Sequence, residues 1–147
     1  MTLTISPAEA ADAPALAVLA DQLGYPANAL QTAARLADLL AHPEEHRVWV
    51  ARSGDRPIGW LHAFVARSLV DDPCAEIGGL VVAEGERGHG VGARLLAEVE
   101  AWARAQGFDR VGVHSNVLRE GAHRFYERAG YRLEKRQGVF TRRLGPA

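Results

Sequence analysis

The chain has 147 residues, of which 48% are hydrophobic and 24% are charged, the size and composition of one globular domain. Its 17 basic and 18 acidic side chains give a formal net charge of −1, so no overall basic field exists to bind nucleic acid or an anionic membrane. Its one cysteine, Cys74, excludes an internal disulfide and a cysteine-rich metal cluster. We therefore expect a single domain over residues 1–147 that binds neither nucleic acid nor a membrane.

The N-terminal segment has no features of a targeting signal. Residues 1–7 lack a basic region followed by an apolar core, and no run in the chain approaches the roughly 18 apolar residues of a membrane span. We therefore expect a cytoplasmic protein, with Cys74 as a free buried thiol.

Apolar spacing and turn residues in the first half predict a strand at 3–5, helices at 7–23 and 27–40, and strands at 46–51 and 58–69. Ser6-Pro7-Ala8-Glu9 has the pattern of a capping box with proline at the first helical position, so the first helix is expected to begin at Pro7. Residues 53–57 are typical of a hairpin turn, which predicts antiparallel pairing of the two strands around them.

The second half predicts a strand at 75–82, a helix at 93–105, a strand at 110–114, a helix at 118–129, and strands at 131–135 and 139–143. Gly107 and Gly130 follow the two helices, where glycine commonly ends a helix. The order β-α-α-β-β-β-α-β-α-β-β predicts an α/β protein with a mixed sheet and helices on its faces.

The segment Arg87-Gly88-His89-Gly90-Val91-Gly92-Ala93 joins the strand at 75–82 to the next helix. Glycines allow close approach of the backbone to a ligand, and the N–H groups and dipole of the following helix favour an anion. Residues 88–93 also satisfy a dinucleotide-binding pattern, but the next strand ends at His114-Ser115-Asn116, without the carboxylate that binds a ribose. A P-loop is excluded because no Gly-Lys-Ser or Gly-Lys-Thr follows the glycines.

The segment His42-Pro43-Glu44-Glu45-His46 matches a zinc-protease helix pattern. Proline moves the residue before it out of helical geometry, so His42 and His46 are not expected to stack one turn apart. We therefore expect no metal site and interpret this segment as a solvated loop.

The element order, the run Leu80-Val81-Val82 before the glycine loop, and Asn116 followed by Phe125-Tyr126 and Gly130-Tyr131 resemble the GNAT acetyltransferase superfamily. The resemblance covers nearly the whole chain. It implies a GNAT-like acyl-CoA N-acyltransferase fold, with a splay between the fourth and fifth strands into which the pantetheine arm of acetyl-CoA inserts. Gly78-Gly79 indicates either a bulge that opens this splay or crowding by a neighbouring group.

The resemblance also implies which residues bind acetyl-CoA. Backbone groups of Leu80, Val81 and Val82 would contact the pantetheine arm. The pyrophosphate would be wrapped by Arg87, Gly88, His89, Gly90, Val91, Gly92 and Ala93. We expect the His89 side chain to point to solvent. Asn116 would bind the pantetheine or cap the following helix.

Two residues are implied in the chemistry. Tyr126 would lie close to the thioester sulfur and protonate the departing thiolate, unless its ring merely packs beside Phe125. Glu76 would accept the proton of the amine. Strict alternation puts Glu76 on the face of Gly78 and Leu80, where its carboxylate would be partly desolvated. An exposed strand end or a salt bridge is the structural alternative for Glu76, and His62, His114 or bulk water are alternative bases.

In the family the acceptor site lies between the first two helices, the central hairpin and the last strands. The aromatic and imidazole residues in these segments are Tyr25, Trp49, Trp60, His62 and Phe64. Carboxylates that could hold a cationic acceptor are Asp71, Asp72 and Glu120.

The implied function is transfer of the acetyl group of acetyl-CoA to a primary amine of a small molecule or peptide, by direct attack in a ternary complex. A non-catalytic acyl-CoA-binding or sensor module is the alternative. The resemblance implies a homodimer.

Overall fold

The computed structural model of the chain describes residues 2–22, 24–115 and 120–146. These residues group into two compact units, Met1–His114 and Ser115–Ala147. Within this part of the chain, no helix has both the length and the apolar character needed to cross a membrane. The single domain over residues 1–147 stays a prediction.

The first unit is built on a five-stranded sheet in the order β1-β2-β3-β4-β5. The strands are β1 Leu3–Pro7, β2 His46–Ser53, β3 Arg56–Ala66, β4 Cys74–Val82 and β5 Val111–Val113. Neighbours from β1 to β4 are antiparallel, and β5 is parallel to β4. The predicted mixed sheet is confirmed, including the hairpin between β2 and β3, where Gly54 has a positive φ of 62°.

The helices are α1 Ala13–Gln22, α2 Ala29–Leu40 and α3 Val91–Ala105 in the first unit, and α4 Glu120–Arg128 in the second. Asn28 caps α2, because its side-chain oxygen accepts a hydrogen bond of 2.8 Å from the Gln31 N–H. The helix α3 connects the parallel strands β4 and β5, as the β-α-β prediction required.

The start of α1 differs from the prediction. Pro7 is not the first helical residue, because it is the last residue of β1 and pairs with Trp49 of β2. A short 3-10 turn, Ala10–Asp12, then leads into α1. The Asp12 carboxylate accepts the Glu9 N–H at 2.8 Å and binds Arg52 Nη2 through both oxygens at 2.9 Å. These bonds fix the chain at the junction of strand and helix.

The two faces of the sheet are covered by different helices. On one face α1 and α2 pack against Val48 and Val50, and the Trp60 Nε1–H donates to the Leu16 carbonyl of α1 at 3.3 Å. On the other face the rings of Trp49 and Trp102 of α3 meet edge to face, 6.1 Å between centroids. The apolar interior therefore lies in two layers with the sheet between them.

In the second unit, the two strands predicted at 131–135 and 139–143 are not formed. Residues 131–146 have neither helix nor strand. Val139 and Phe140 are almost fully exposed, so the burial that favours a strand is missing here. The prediction for the end of α4 is confirmed, because Gly130 has a φ of 96° and the Tyr131 N–H donates to the Tyr126 carbonyl. The predicted start at residue 118 lies outside the described residues.

Candidate active site

The strands β4 and β5 pair over a short length only. Their register runs from Ala75–Val111 to Ile77–Val113, while β4 continues to Val82. The Ala83 N–H donates to the Ile58 carbonyl, so the backbone groups of Ala83 face β3. Because these groups alternate sides along a strand, those of Leu80 and Val82 face away from β3, toward the edge of β4 where β5 pairs lower down. Among the described residues no strand pairs with that side at these two positions. The predicted opening beside Leu80 and Val82 is therefore present.

A β-bulge lies at Gly78. The pairs His62–Gly79 and Ala63–Ile77 leave Gly78 as an extra residue in β4. A Cβ at Gly78 would lie 2.6 Å from His62 Nδ1, and one at Gly79 would lie 2.9 Å from two atoms of the Trp60 ring. Both interpretations of the glycine pair are therefore correct, since the strand bulges here and side chains of β3 also crowd it.

The bulge changes which residues share the face of Glu76. Side chains of directly opposed residues in antiparallel strands lie on the same face. Glu76 is opposite Phe64 and Val81 is opposite Trp60, whereas Leu80 is opposite Leu61. The expectation that Glu76 shares a face with Leu80 is wrong, because the extra residue reverses the alternation.

Glu76 contacts His114, just beyond the end of β5. Its Oε1 lies 2.9 Å from His114 Nδ1, and the Glu76 side chain is only 16% exposed while that of His114 is 79% exposed. This contact is the salt bridge named as the structural alternative for Glu76 when the imidazole is protonated, and a hydrogen bond when it is neutral. It joins two of the predicted bases into one unit, with a shielded carboxylate and a solvated imidazole.

A second histidine pair lies on the same face of the sheet. His46 Nδ1 lies 3.0 Å from His62 Nε2, and the two rings stack with centroids 5.3 Å apart. Burial of the His62 ring, and then the neighbouring His46, lower the pKa of His62 from 6.5 to about 4. His62 is therefore neutral near pH 7 and available to accept or donate a hydrogen bond.

His46, the partner of His62, was not among the residues predicted from the sequence. If the residue pairing at the hairpin turn continued unchanged along β2 and β3, the side chains of His46 and His62 would lie on opposite faces of the sheet. A register shift between Ala51 and Arg52 brings Val48 opposite His62 and places His46 on the same face. The sequence carries no signal for that shift.

A cavity of about 350 Å³ lies between the α1–α2 layer and the sheet. Its lining comes from both helices, the segment that joins them and three strands: Leu16, Ala20, Tyr25, Pro26, Ala27, Thr32, Arg35, Leu36, Leu39, Val48, Trp60, His62, Gly78, Gly79, Leu80 and Val81. The sequence analysis missed Arg35, although positions 32, 35, 36 and 39 have the spacing of one helix face.

Three of the five residues predicted around the acceptor line this cavity, namely Tyr25, Trp60 and His62. Trp49 does not, because the register shift in β2 turns it to the opposite face against α3. The Phe64 ring contacts those of His46 and His62 without reaching the cavity wall. Asp71 and Asp72 are exposed and are not part of the lining.

The glycine loop follows β4 and a short 3-10 turn, Glu84–Glu86. Gly88 and Gly90 have φ values of 84° and 81°, a conformation that favours glycine, and a Cβ at either position would meet no atom within 4 Å. The first helical hydrogen bond of α3 runs from the Arg94 N–H to the Gly90 carbonyl, which leaves the N–H groups at 91–93 without helical acceptors. The loop thus presents free donors beside open space, a geometry that fits an anion.

Two side chains of the loop, those of His89 and Arg87, have contacts with neighbouring residues. His89 is 68% exposed and lies 3.9 Å from the Glu86 carboxylate, in agreement with the expected solvent-facing position. Arg87 Nε donates to the Val82 carbonyl at 3.4 Å, so its side chain lies at the end of β4. Glu86 is held by Arg56 of β3 at 2.9 Å.

In the second unit, Tyr126 lies on α4 and is half-buried. Its ring centroid lies 5.1 Å from that of Phe125 and 5.8 Å from that of Tyr131, and both contacts are edge to face. The predicted packing beside Phe125 is therefore present. Glu120 is exposed and lies 3.9 Å from Arg124, while Asn116 lies outside the described residues.

The segment that resembles a zinc-protease pattern does not lie on a helix. The helix α2 ends at Leu40 and His46 begins β2, while His42 Nδ1 bonds the Asp38 carbonyl at 2.9 Å. In residues 2–22, 24–115 and 120–146, no three His, Cys, Asp or Glu side chains are placed to hold a metal ion together.

Comparison with known proteins defines the class. Residues 15–131 match the profile of the acetyltransferase (GNAT) family. The chain therefore belongs to the GNAT acetyltransferase family and is an acyltransferase.

Individual relatives agree with this class. The chain is similar to aminoglycoside N(6')-acetyltransferase type 1 of Serratia marcescens, 28% identical over 120 residues that cover 76% of this chain and 80% of the relative. It is also similar to the aminoalkylphosphonate N-acetyltransferase of Salmonella typhimurium, 44% identical over 57 residues that cover 39% of this chain and 37% of the relative. The structure of aminoglycoside N-acetyltransferase AAC(6')-Iy in complex with CoA shares the fold, with a TM-score of 0.86, 17% identity and coverage of 97% of this chain and 96% of that one.

Proposed function

We propose that this protein transfers the acetyl group of acetyl-CoA to a primary amine of a small molecule or peptide, by direct attack in a ternary complex. The observation that carries the proposal is the open edge of β4 at Leu80–Val82, which is followed, after the short turn Glu84–Glu86, by the glycine loop at the start of α3. A ligand with an amide-bearing arm and a pyrophosphate matches that order of backbone groups. The cytoplasmic location and the homodimer stay predictions.

The residues present fit acetyl-CoA. Backbone groups of Leu80 and Val82 would bind the pantetheine arm in the manner of an added strand, with Val81 between them packed into the interior. The N–H groups of Val91, Gly92 and Ala93 would bind the pyrophosphate. Gly88 and Gly90 keep the loop open, since their backbone conformation is unfavourable for residues with a Cβ. Arg87, His89 and Asn116 stay in the proposed binding set.

The chemistry needs one base and one acid. Acetyl-CoA, when bound, supplies a thioester carbonyl that a neutral amine attacks. Glu76 accepts a proton from the acceptor ammonium, directly or through water, so that the nitrogen lone pair can form the new C–N bond. Tyr126 donates its phenolic proton to the sulfur as the C–S bond breaks. The nitrogen loses its second proton to solvent as the amide forms, and the tyrosinate regains a proton from solvent. The contact with His114 Nδ1, at 2.9 Å, holds the Glu76 carboxylate in position.

The proposal is tested by two measurements on the same protein. Thermal unfolding with acetyl-CoA, CoA and NAD reports whether the loop binds a CoA ligand. Thiol release from acetyl-CoA in the presence of a panel of amines then reports transfer, for the wild type and for Tyr126→Phe. Tyr131→Phe is the matched control, because it removes a neighbouring hydroxyl from the same aromatic cluster.

We expect stabilisation by both CoA ligands and a kcat that falls by about 100-fold or more in Tyr126→Phe, the usual range for a lost general acid. Tyr131→Phe should keep most of the activity. Stabilisation by CoA without transfer to any amine would instead favour a binding or sensor module. No response to CoA would contradict the proposed binding of the co-substrate.

A further inference from the structure

The cavity between α1, α2 and the sheet has an unusual charge pattern for a site that takes an amine. Among the described residues of its lining, Arg35 carries the one fixed charge and none is a carboxylate. Asp21 of α1 and Asp38 of α2 are exposed and lie outside the lining. Glu76, the proposed base, also lies outside the lining, so within the cavity itself a polycationic acceptor would meet a cation and no carboxylate.

Arg35 stands beside apolar and neutral groups. It lies on the same face of α2 as Thr32, Leu36 and Leu39, which also line the cavity. None of the ion pairs formed by the described residues involves Arg35. Arg35 is exposed, so its guanidinium donors face solvent and can exchange water for a ligand. This group binds carboxylates and phosphonates through paired hydrogen bonds.

The rest of the cavity sets the other properties of the ligand. Leu16, Leu36, Val48 and Trp60 provide an apolar wall, so the body of the ligand is expected to be apolar. His62 is neutral near pH 7, because burial and His46 lower its pKa to about 4, and it therefore adds no second positive charge. The volume of about 350 Å³ accommodates a small molecule.

We propose that the acceptor is a small primary amine that also carries an acid group, either a carboxylate or a phosphonate, and that Arg35 binds this group. This inference rests on the proposed acetyltransferase function and specifies the acceptor of the same site. Arg35 acts here as a specificity-determining residue: its contact with the acid group would orient the ligand in the cavity.

The test compares amines that differ only in the acid group. Leucine is paired with 3-methylbutylamine, 1-aminoethylphosphonate is paired with ethylamine, and kanamycin serves as a polycation. The value of kcat/KM is measured by thiol release for the wild type, Arg35→Ala and Arg35→Lys. Arg104→Ala is the matched control, because Arg104 is an exposed arginine in the last turn of α3, on the opposite face of the sheet.

We expect the wild type to prefer at least one acid-bearing amine over its partner by about 10-fold or more, the effect of a charge-assisted hydrogen bond. Arg35→Ala should remove that preference, because kcat/KM for the acid-bearing amine falls toward that for its acid-free partner. Arg35→Lys should retain part of it, and Arg104→Ala all of it.

Two results would overturn the inference. Efficient acetylation of kanamycin or of the acid-free amines, with no preference for an acid group, would contradict it while the acetyltransferase function stands. An equal loss on both members of a pair in Arg35→Ala would show that Arg35 supports the fold rather than selecting the ligand. Release of no thiol with any amine would remove the proposed function, and this inference with it.

Discussion

His46 Nδ1 and His62 Nε2 lie 3.0 Å apart on the face of the sheet that carries the cavity. A hydrogen bond between two imidazole nitrogens needs one protonated and one unprotonated atom, so a neutral His62 can take either part. The pair links β2 to the bulged segment of β4, because the other side of the His62 ring faces Gly78. Protonation of His62 should therefore lower the stability of the sheet.

Acidification is expected to destabilise the protein through His62. Its pKa is about 4 in the folded state and 6.5 in the unfolded chain. Between these values the unfolded state binds more protons, so the free energy of unfolding rises with pH from about 4 to 6.5 and this contribution is lost as the pH falls. We expect about 1–2 kcal/mol, since water screens this partly exposed ring.

Urea unfolding at pH 4.5 and pH 7.5 measures this effect. His62→Gln should reduce the difference in unfolding free energy between the two pH values. His42→Gln should leave it unchanged, because His42 is an exposed histidine bonded only to a local carbonyl. Equal pH dependence in the wild type and His62→Gln would contradict the shifted pKa.

Substitution of Gly78 should show that the bulge depends on the absence of a side chain. A Cβ there would lie 2.6 Å from His62 Nδ1, so the imidazole must rotate away and lose its bond to His46. We expect Gly78→Ala to destabilise the protein by about 1–3 kcal/mol, as overpacking does. Gly85→Ala should change stability by less than about 0.5 kcal/mol, since a Cβ at Gly85 meets no atom within 4 Å.

Chemical denaturation of both variants gives these values. The double variant Gly78→Ala with His62→Ala separates the mechanism from a general weakening of β4. Removal of the ring should make the Gly78→Ala step nearly neutral in that background. If Gly78→Ala costs as much without His62 as with it, the crowding explanation is wrong.

Features that depend on local backbone conformation were predictable from the sequence. The glycine loop, the capping of the helices by Gly107 and Gly130, and the hairpin at Gly54 depend on backbone conformations that only a few residue types favour. The consecutive glycines at 78 and 79 likewise predicted a bulge that the strand register contains. These predictions needed no knowledge of the tertiary structure.

Features that depend on register were not predictable. One extra residue in β4 reverses the alternation and separates Glu76 from Leu80. The shift between Ala51 and Arg52 moves Trp49 to the face opposite Trp60, because it brings Val50 rather than Trp49 opposite that ring. The prediction that the first helix begins at Pro7 was wrong because the pairing of β1 with β2 extends through that residue.

The two positive-φ glycines of the loop should be required for CoA binding as well as for stability. Gly90→Ala places a Cβ in a left-handed conformation, which costs roughly 1–2 kcal/mol. Gly107→Ala imposes the same strain, with a φ of 82° at the end of α3, and serves as the matched control. Both should lower Tm alike, but only Gly90→Ala should weaken CoA binding, by about 10-fold at this donor-rich loop.

Isothermal titration of CoA into each variant measures the Kd, and thermal unfolding without ligand measures the strain. A similar Kd for CoA in the Gly90→Ala and Gly107→Ala variants would contradict the assignment of the loop to the pyrophosphate. A lower Tm in both would still agree with their backbone conformations.

Variants of Glu76 and His114 should distinguish the proposed base, Glu76, from the residue that positions it, His114. Glu76→Gln keeps the shape and a hydrogen-bond acceptor near His114 but removes the carboxylate, so kcat/KM for the amine should fall by about 100-fold or more at neutral pH. His114→Gln should cost about 10-fold or less, because the carboxylate remains and only its orientation is relaxed. The free energy of unfolding of each variant shows whether a loss of kcat/KM comes from a weakened fold.

The pH dependence of transfer distinguishes the proposed base from a structural role. As the pH approaches the pKa of the acceptor amine, more of the amine is already neutral and needs no base. The defect of Glu76→Gln should therefore narrow with rising pH, while a defect caused by a distorted site would stay constant. A constant ratio of wild-type to Glu76→Gln activity across that range would remove Glu76 from the proposed mechanism and leave His62 or solvent as the base.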